Sequence, residues 1–148
     1  EFPVPEKAGV LNQEGCEYLP HVFGIREGQT LTVKNSDHTN HNIHFLPEKN
    51  EEHNFTQPKP GEKDLKLVAE APFKVKCDVH PWMGAYISVF KHPFFNVTDK
   101  DGTYELKDVP PGKYKLVAWH ETFGEMTAEI EVSPGGTEVE KDFTFEPK

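Results

Sequence analysis

The sequence is short of thiols: among its 148 residues only Cys16 and Cys77 are cysteine. Two thiols exclude a disulfide framework and a zinc site built of cysteine alone, and leave at most one Cys16–Cys77 bridge. Long apolar runs are missing too, and nothing approaches the roughly 20 residues that a membrane-spanning helix requires. Positive charge is in deficit. Against 25 Asp and Glu stand 16 Lys and Arg, a formal net charge of −9, which argues against nucleic acid as a partner and favours either a basic partner or simply good solubility. No internal repeat, low-complexity tract or recognisable signal peptide is present, and the start EFPVPEK reads as either a processed end or an artificial boundary. Helical apolar periodicity is also lacking, which removes the helical fold classes.

What is present has the texture of β structure. Thirteen prolines and eleven glycines punctuate short runs rich in Val, Thr, Phe and Tyr. The pattern predicts strands over 18–25, 30–35, 42–46, 64–70, 73–77, 85–90, 95–98, 103–106, 113–120, 127–132 and 139–145. In KYKLVAW the residues Tyr114, Leu116 and Ala118 share one face, and in TAEIEV so do Ala128, Ile130 and Val132. EGQT, KDGTY, VPPGKY and SPGGT supply the turns. The polar segment 50–63, with its prolines, reads as a loop. Many short strands joined by turns predict an all-β sandwich or barrel.

Chemistry concentrates in VKCDVHPWMGAYISVF, where Cys77, His80 and Met83 stand three residues apart in an expected turn between strands. A mononuclear electron-transfer copper site needs two imidazoles and a thiolate, with a weak axial ligand such as a thioether. This stretch supplies all but one imidazole. NSDHTNHNIHF, upstream, offers the missing one, since His41 and His44 stand at the start of a predicted strand there. A spacing of three puts their side chains on opposite faces of a regular strand, so at most one of them reaches the same ion. Each feature also has an ordinary reading, with the cysteine as a small buried hydrophobe and the methionine as core filler.

Together the two segments resemble a cupredoxin, most closely the amicyanin and plastocyanin branch. The first matches that family's H-N-[IV]-x-F turn as HNIHF, and the second its C-x2-H-x(2–4)-M loop, in the shortest amicyanin-like form, as CDVHPWM. The resemblance runs over residues 13–90 and implies a Greek-key β-sandwich. It implies copper, cycling between Cu(II) and Cu(I), as the cofactor, with His41, Cys77, His80 and Met83 as metal ligands. It further implies an Asn42 backbone N–H donating to the thiolate sulfur, and Pro81 and Trp82 flanking the exposed edge of His80 as a docking patch. The sequence departs from the pattern at Asn40, where amicyanins usually carry proline, and in having Cys16, which is outside the ligand set. Cys16 stays open as a buried thiol, a neighbour of the copper, or a partner for Cys77.

The later part, VTDKDGTYELKDVPPGKYKLVAWHE, resembles the middle of a carboxypeptidase-regulatory-like or transthyretin-like β-sandwich. The expected organisation is therefore a cupredoxin-like copper-binding part over 1–92, with a C-terminal β extension over 93–148 packed on it. His92 and His120 leave open a second metal site. The function expected from the resemblance is that of a blue copper protein: a type 1 electron carrier, not an enzyme, periplasmic or otherwise extracytoplasmic. Its partner would be a redox protein with a basic docking surface, such as a cytochrome or copper oxidoreductase. The alternatives are a copper carrier or storage module with the same ligands, a metal-free structural or adhesion sandwich of the carboxypeptidase-regulatory type, and, third, a copper enzyme with His41 or His44 at an open site.

Overall fold

The computed structural model describes residues 2–136 and 138–146, and among these every regular element is a strand. In chain order they are β1 (Gly9–Glu14), β2 (Glu17–Leu19), β3 (Val22–Arg26), β4 (Thr30–Asn35), β5 (His41–Leu46), β6 (Asn54–Gln57), β7 (Gly61–Lys66), β8 (Glu70–Lys76), β9 (Gly84–Phe90), β10 (Gly112–His120) and β11 (Gly124–Val132). The chain divides into two compact units, Glu1–Glu105 and Leu106–Lys148.

The first unit is an all-β sandwich of Greek-key type. One sheet runs β2-β1-β4-β7 and the other β3-β9-β8-β5-β6, and the chain passes between them after β2, β3, β4, β6 and β7. The pairs β1–β4 and β3–β9 are parallel and the rest antiparallel. Period-two alternation fills the space between the sheets. β4 sends Leu31 and Val33 inward, β5 sends Ile43 and Phe45, β8 sends Phe73 and Val75, and β9 sends Ala85, Ile87 and Val89. Burying each such side chain contributes about 1.5–3 kcal/mol for the larger ones.

Two strands have no counterpart in the sequence reading, and the same interaction explains both. β1 and β6 look polar, yet Gln13 is fully buried and Gln57 nearly so. The Gln13 amide donates to Gln57 Oε1 at 2.7 Å and to the Lys34 carbonyl at 3.0 Å, and Gln57 Nε2 donates to the Val33 carbonyl at 3.1 Å. A hydrogen-bonded amide occupies an inward position that a hydropathy pattern assigns to solvent. The expected strand over 18–25 divides into β2 and β3 at Pro20, which has no N–H for a ladder. The one over 64–70 breaks after Lys66, where the Asn50 side chain takes both the N–H and the C=O of Val68 at 2.8 and 2.9 Å.

Strands expected over 95–98 and 103–106 do not form. Asp99 instead organises a turn, its Oδ1 accepting the N–H groups of Asp101 and Thr103, both at 2.9 Å. The second unit is built on the β10–β11 hairpin, paired from Gly112↔Val132 to His120↔Gly124. Tyr114, Leu116 and Ala118 oppose Ile130, Ala128 and Met126 along it. Residues 139–145 are not a strand either. Phe145 there lies 5.8 Å from the His120 ring and 6.3 Å from Phe123.

Candidate metal centre

The strand order brings the two sequence segments to one end of a sheet. β8 lies between β9 and β5, antiparallel to both, with Lys76 opposite Gly84 on one side and His44 on the other. The end of β8, the start of β9 and the start of β5 therefore meet. Cys77 follows β8, His80 sits in the connecting turn, Met83 precedes β9, and His41 is the first residue of β5. The Met83 N–H donates to the His80 carbonyl at 3.0 Å and closes the turn.

His41, Cys77 and Met83 are buried, at 0%, 2% and 2% exposure, and His80 is half-buried. Nδ1 of His41 lies 3.2 Å from Nδ1 of His80, which is 3.8 Å from Cys77 Sγ. One ligand atom from each of these three residues falls within 4.8 Å of the others. Met83, like Cys77, belongs to the hydrophobic core cluster. The Cys77 sulfur accepts backbone N–H groups from Asn42 at 3.4 Å and His80 at 3.3 Å. His44 is turned away, with Nε2 2.7 Å from Glu52 and Nδ1 3.1 Å from Asp78. Glu52 and Asp78 together raise its pKa above the ordinary histidine value, with Glu52 the larger influence.

Asp37 was not singled out by the sequence, although it stands four residues before His41. Its Oδ2 accepts from His41 Nε2 at 2.7 Å and from the Cys16 N–H at 3.0 Å, and its Oδ1 accepts from the Gly15 N–H at 3.0 Å. The Cys16 hydrogen bond, followed by that of His41, holds the Asp37 carboxyl below its usual pKa. An ionised carboxylate only accepts, so His41 Nε2 is the donor to Asp37, which in the neutral ring leaves a lone pair on Nδ1. His80 Nδ1 lies 3.2 Å from that atom, a separation that either an N–H···N hydrogen bond between the rings or a shared cation satisfies. The residues thus fit a cation bound by two imidazoles and a sulfur, a donor set that suits copper or zinc. Cys16, Asp37 and His41 also form a close trio. It is not an independent site, because the Asp37 oxygens are already taken by three N–H groups and His41 is shared.

Tyr18 was likewise missed as a site residue. Its buried hydroxyl reaches the carbonyls of Asn42 at 2.5 Å and Lys76 at 2.9 Å, each one residue from His41 or Cys77. Burial, then the charges of Cys77 and Asp78, push its pKa far above the ordinary tyrosine value. At the surface Pro81 is exposed, and Trp82 is 67% exposed with its ring 4.9 Å from that of His80. Cys16 and Cys77 are both free thiols. His92 and His120 serve local turns: His92 Nδ1 accepts the Phe94 N–H at 3.1 Å, and His120 Nδ1 accepts the Thr122 N–H at 3.0 Å.

Comparison with known structures defines the class as a cupredoxin-like β-sandwich. The chain is similar to amicyanin: a reduced Cu(I) proline-to-glycine variant at pH 4 aligns with 22% identity and a TM-score of 0.50. A Cu(I) methionine-to-alanine variant gives 21% and 0.51, and an oxidised proline-to-alanine variant 22% and 0.51. Each alignment covers 59% of this chain and 86% of the other. The carboxypeptidase regulatory-like domain family matches residues 79–146, from within the Cys77–Met83 turn onward. No curated protein matches the chain. No helix among the described residues is long and apolar enough to cross a membrane.

Proposed function

We propose that the protein is a one-electron carrier with a single copper ion held by His41, Cys77, His80 and Met83. The observation that carries this reading is the convergence of two imidazole Nδ1 atoms and one sulfur, from two distant segments, with the His41 lone pair directed inward by Asp37. Copper bound there would cycle between Cu(II) and Cu(I), accepting and releasing one electron. The chain's residues do the rest. The two N–H groups on Cys77 withdraw charge from its sulfur, which favours the reduced state. The buried His41, Cys77 and Met83 keep water out and leave no open position for a substrate, which speaks for electron transfer over catalysis. His80 offers the way out, with Pro81 and Trp82 beside it as an apolar docking patch.

The net charge of −9 would steer a basic redox protein, such as a cytochrome or copper oxidoreductase, in a salt-dependent manner. An extracytoplasmic, periplasmic setting suits such a carrier. We further propose that the cupredoxin-like part ends near residue 92 and that the remainder is a β extension of it. The carrier-or-storage alternative uses the same ligands but requires ready metal release, and slow loss of copper to an added chelator would count against it. Copper loading followed by visible absorption tests the proposal. An intense thiolate-to-copper band is expected in the wild type and its loss in Cys77→Ser. A wild-type protein that takes up copper without such a band, or takes up none, would overturn it.

A further inference from the structure

We propose that the β1–β2 turn is a clasp that holds both imidazoles of the centre from outside, with Asp37 and Trp82 as its positioning residues; this rests on the copper reading above. The observations form a closed circuit. His41 Nε2 meets Asp37 at 2.7 Å, and Asp37 takes the successive N–H groups of Gly15 and Cys16, each at 3.0 Å. The Cys16 carbonyl accepts the Trp82 indole N–H at 2.8 Å. The Trp82 ring packs against His80 at 4.9 Å and a 57° tilt, and His80 returns to His41 at 3.2 Å.

The turn is shaped for this. Gly15 and Cys16 both have positive φ, 63° and 56°. Glycine adopts that conformation without cost, whereas for cysteine it is uncommon. Consecutive residues so placed aim adjacent N–H groups at one anion. Asp37 is fixed independently of His41. Its own N–H donates to Asn35 Oδ1 at 2.9 Å, and the neighbouring Ser36 N–H donates to the Gln13 carbonyl at 2.8 Å. The clasp engages Cys16 through its backbone, so the identity of this residue matters less than its conformation.

Two consequences follow. A carboxylate hydrogen-bonded to the far nitrogen of His41 makes the near nitrogen a stronger donor, which favours Cu(II) over Cu(I). The indole, tethered at its N–H, restricts rotation of the half-buried His80 ring, so its position persists through a change of charge. Asp37 and Trp82 should therefore act as one unit through Cys16.

The test is a double-mutant cycle on copper-loaded protein with Asp37→Asn, Trp82→Phe and both. Asp37→Asn keeps the side-chain shape and removes the charge. It is expected to shift the Cu(II)/Cu(I) affinity ratio about tenfold toward Cu(I), about 59 mV upward in a one-electron potential. Trp82→Phe keeps a ring over His80 and removes the tether. Clasp action predicts that the double variant falls short of the combined single effects by about threefold or more. Additive effects, or no shift in Asp37→Asn, would overturn the clasp.

Metal-free protein supplies a second readout. Ring 15N shifts should show His41 protonated at Nε2, and hydrogen exchange at the Trp82 indole should speed up about tenfold in Asp37→Asn. An unchanged indole exchange rate would overturn the proposal. Should Asp37→Asn not fold, the exposed Trp82→Phe variant carries the test through faster exchange at His41 Nε2–H. If the wild type takes no copper, the electron-carrier reading fails and these metal-free measurements still decide the clasp.

Discussion

Replacing Tyr18 by Phe isolates the link between the sandwich core and the candidate metal centre. The ring is 3% exposed and packs in the core, so the phenyl group preserves the volume. Only the hydroxyl is lost, and with it the contacts at 2.5 Å to the Asn42 carbonyl and 2.9 Å to the Lys76 carbonyl. A net hydrogen bond is worth about 1 kcal/mol, and leaving a buried partner unpaired raises the cost to about 1–3 kcal/mol. One hydroxyl proton serves two carbonyls, each able to keep other partners, which points to the lower half, about 1–2 kcal/mol. For a unit of this size that corresponds to a fall of about 4–15 °C in Tm.

Thermal unfolding followed by near-ultraviolet circular dichroism measures this directly. A pH arm sharpens the prediction. Because the folded phenol resists ionisation, the unfolded chain releases its proton first, above a pH of about 10. Wild-type stability should therefore decline with rising pH in that range, and Tyr18→Phe should lose this contribution to the slope. A Tyr18→Phe protein as stable as the wild type at neutral pH, with the same alkaline slope, would refute the reasoning.

His44→Gln should cost more stability at pH 6 than at pH 9. The raised folded pKa means that its pairing with Glu52 and Asp78 is fully present below the ordinary histidine value and lost as pH rises through the higher folded one. Urea unfolding at the two pH values checks the sign. Glu70→Gln should cost about 1.5–3 kcal/mol near neutrality, because this buried carboxylate accepts from Lys49, from Glu48 and twice from Asn50. Burial works to raise the Glu70 pKa but these donors outweigh it and lower it, so its contribution should fade only as pH falls through that lowered value. Gly24→Ala would place a Cβ 2.6 Å from Phe95 Cδ1 and 2.9 Å from Phe90 Cε2, in a stacked pair of rings 4.4 Å apart. A loss of about 1–3 kcal/mol is expected, with partial recovery when Phe95→Leu is added.

The sequence exposed those parts of the fold where chemistry and hydropathy agree. β4 and β11 alternate apolar and polar residues, and the fold class follows from such runs joined by turns. The ligand-type residues stood out because C-x2-H-x2-M and H-N-I-H-F place soft donors at fixed spacings. Hidden from the sequence were β1 and β6, where the Gln13 amide donates to Gln57 Oε1 inside the sandwich, so that two buried positions imitate loop composition. Asp37, Gly15 and Cys16 were hidden for a different reason. Their roles depend on a turn conformation and on contacts up to 66 residues apart in the chain. Conversely, residues 139–145 alternate well enough to suggest a strand, but alternation supplies no partner for a ladder.

Cys77, His80 and Met83 arrive on a single short connection between neighbouring strands, while His41 belongs to the framework itself. Under the proposed copper reading, breathing of that connection would loosen three of the four proposed ligands at once and leave both sheets assembled. Retention of an ion would then be governed by the free energy of a small local excursion and not by that of global unfolding. Its escape rate should barely respond to denaturant until the sandwich itself begins to melt.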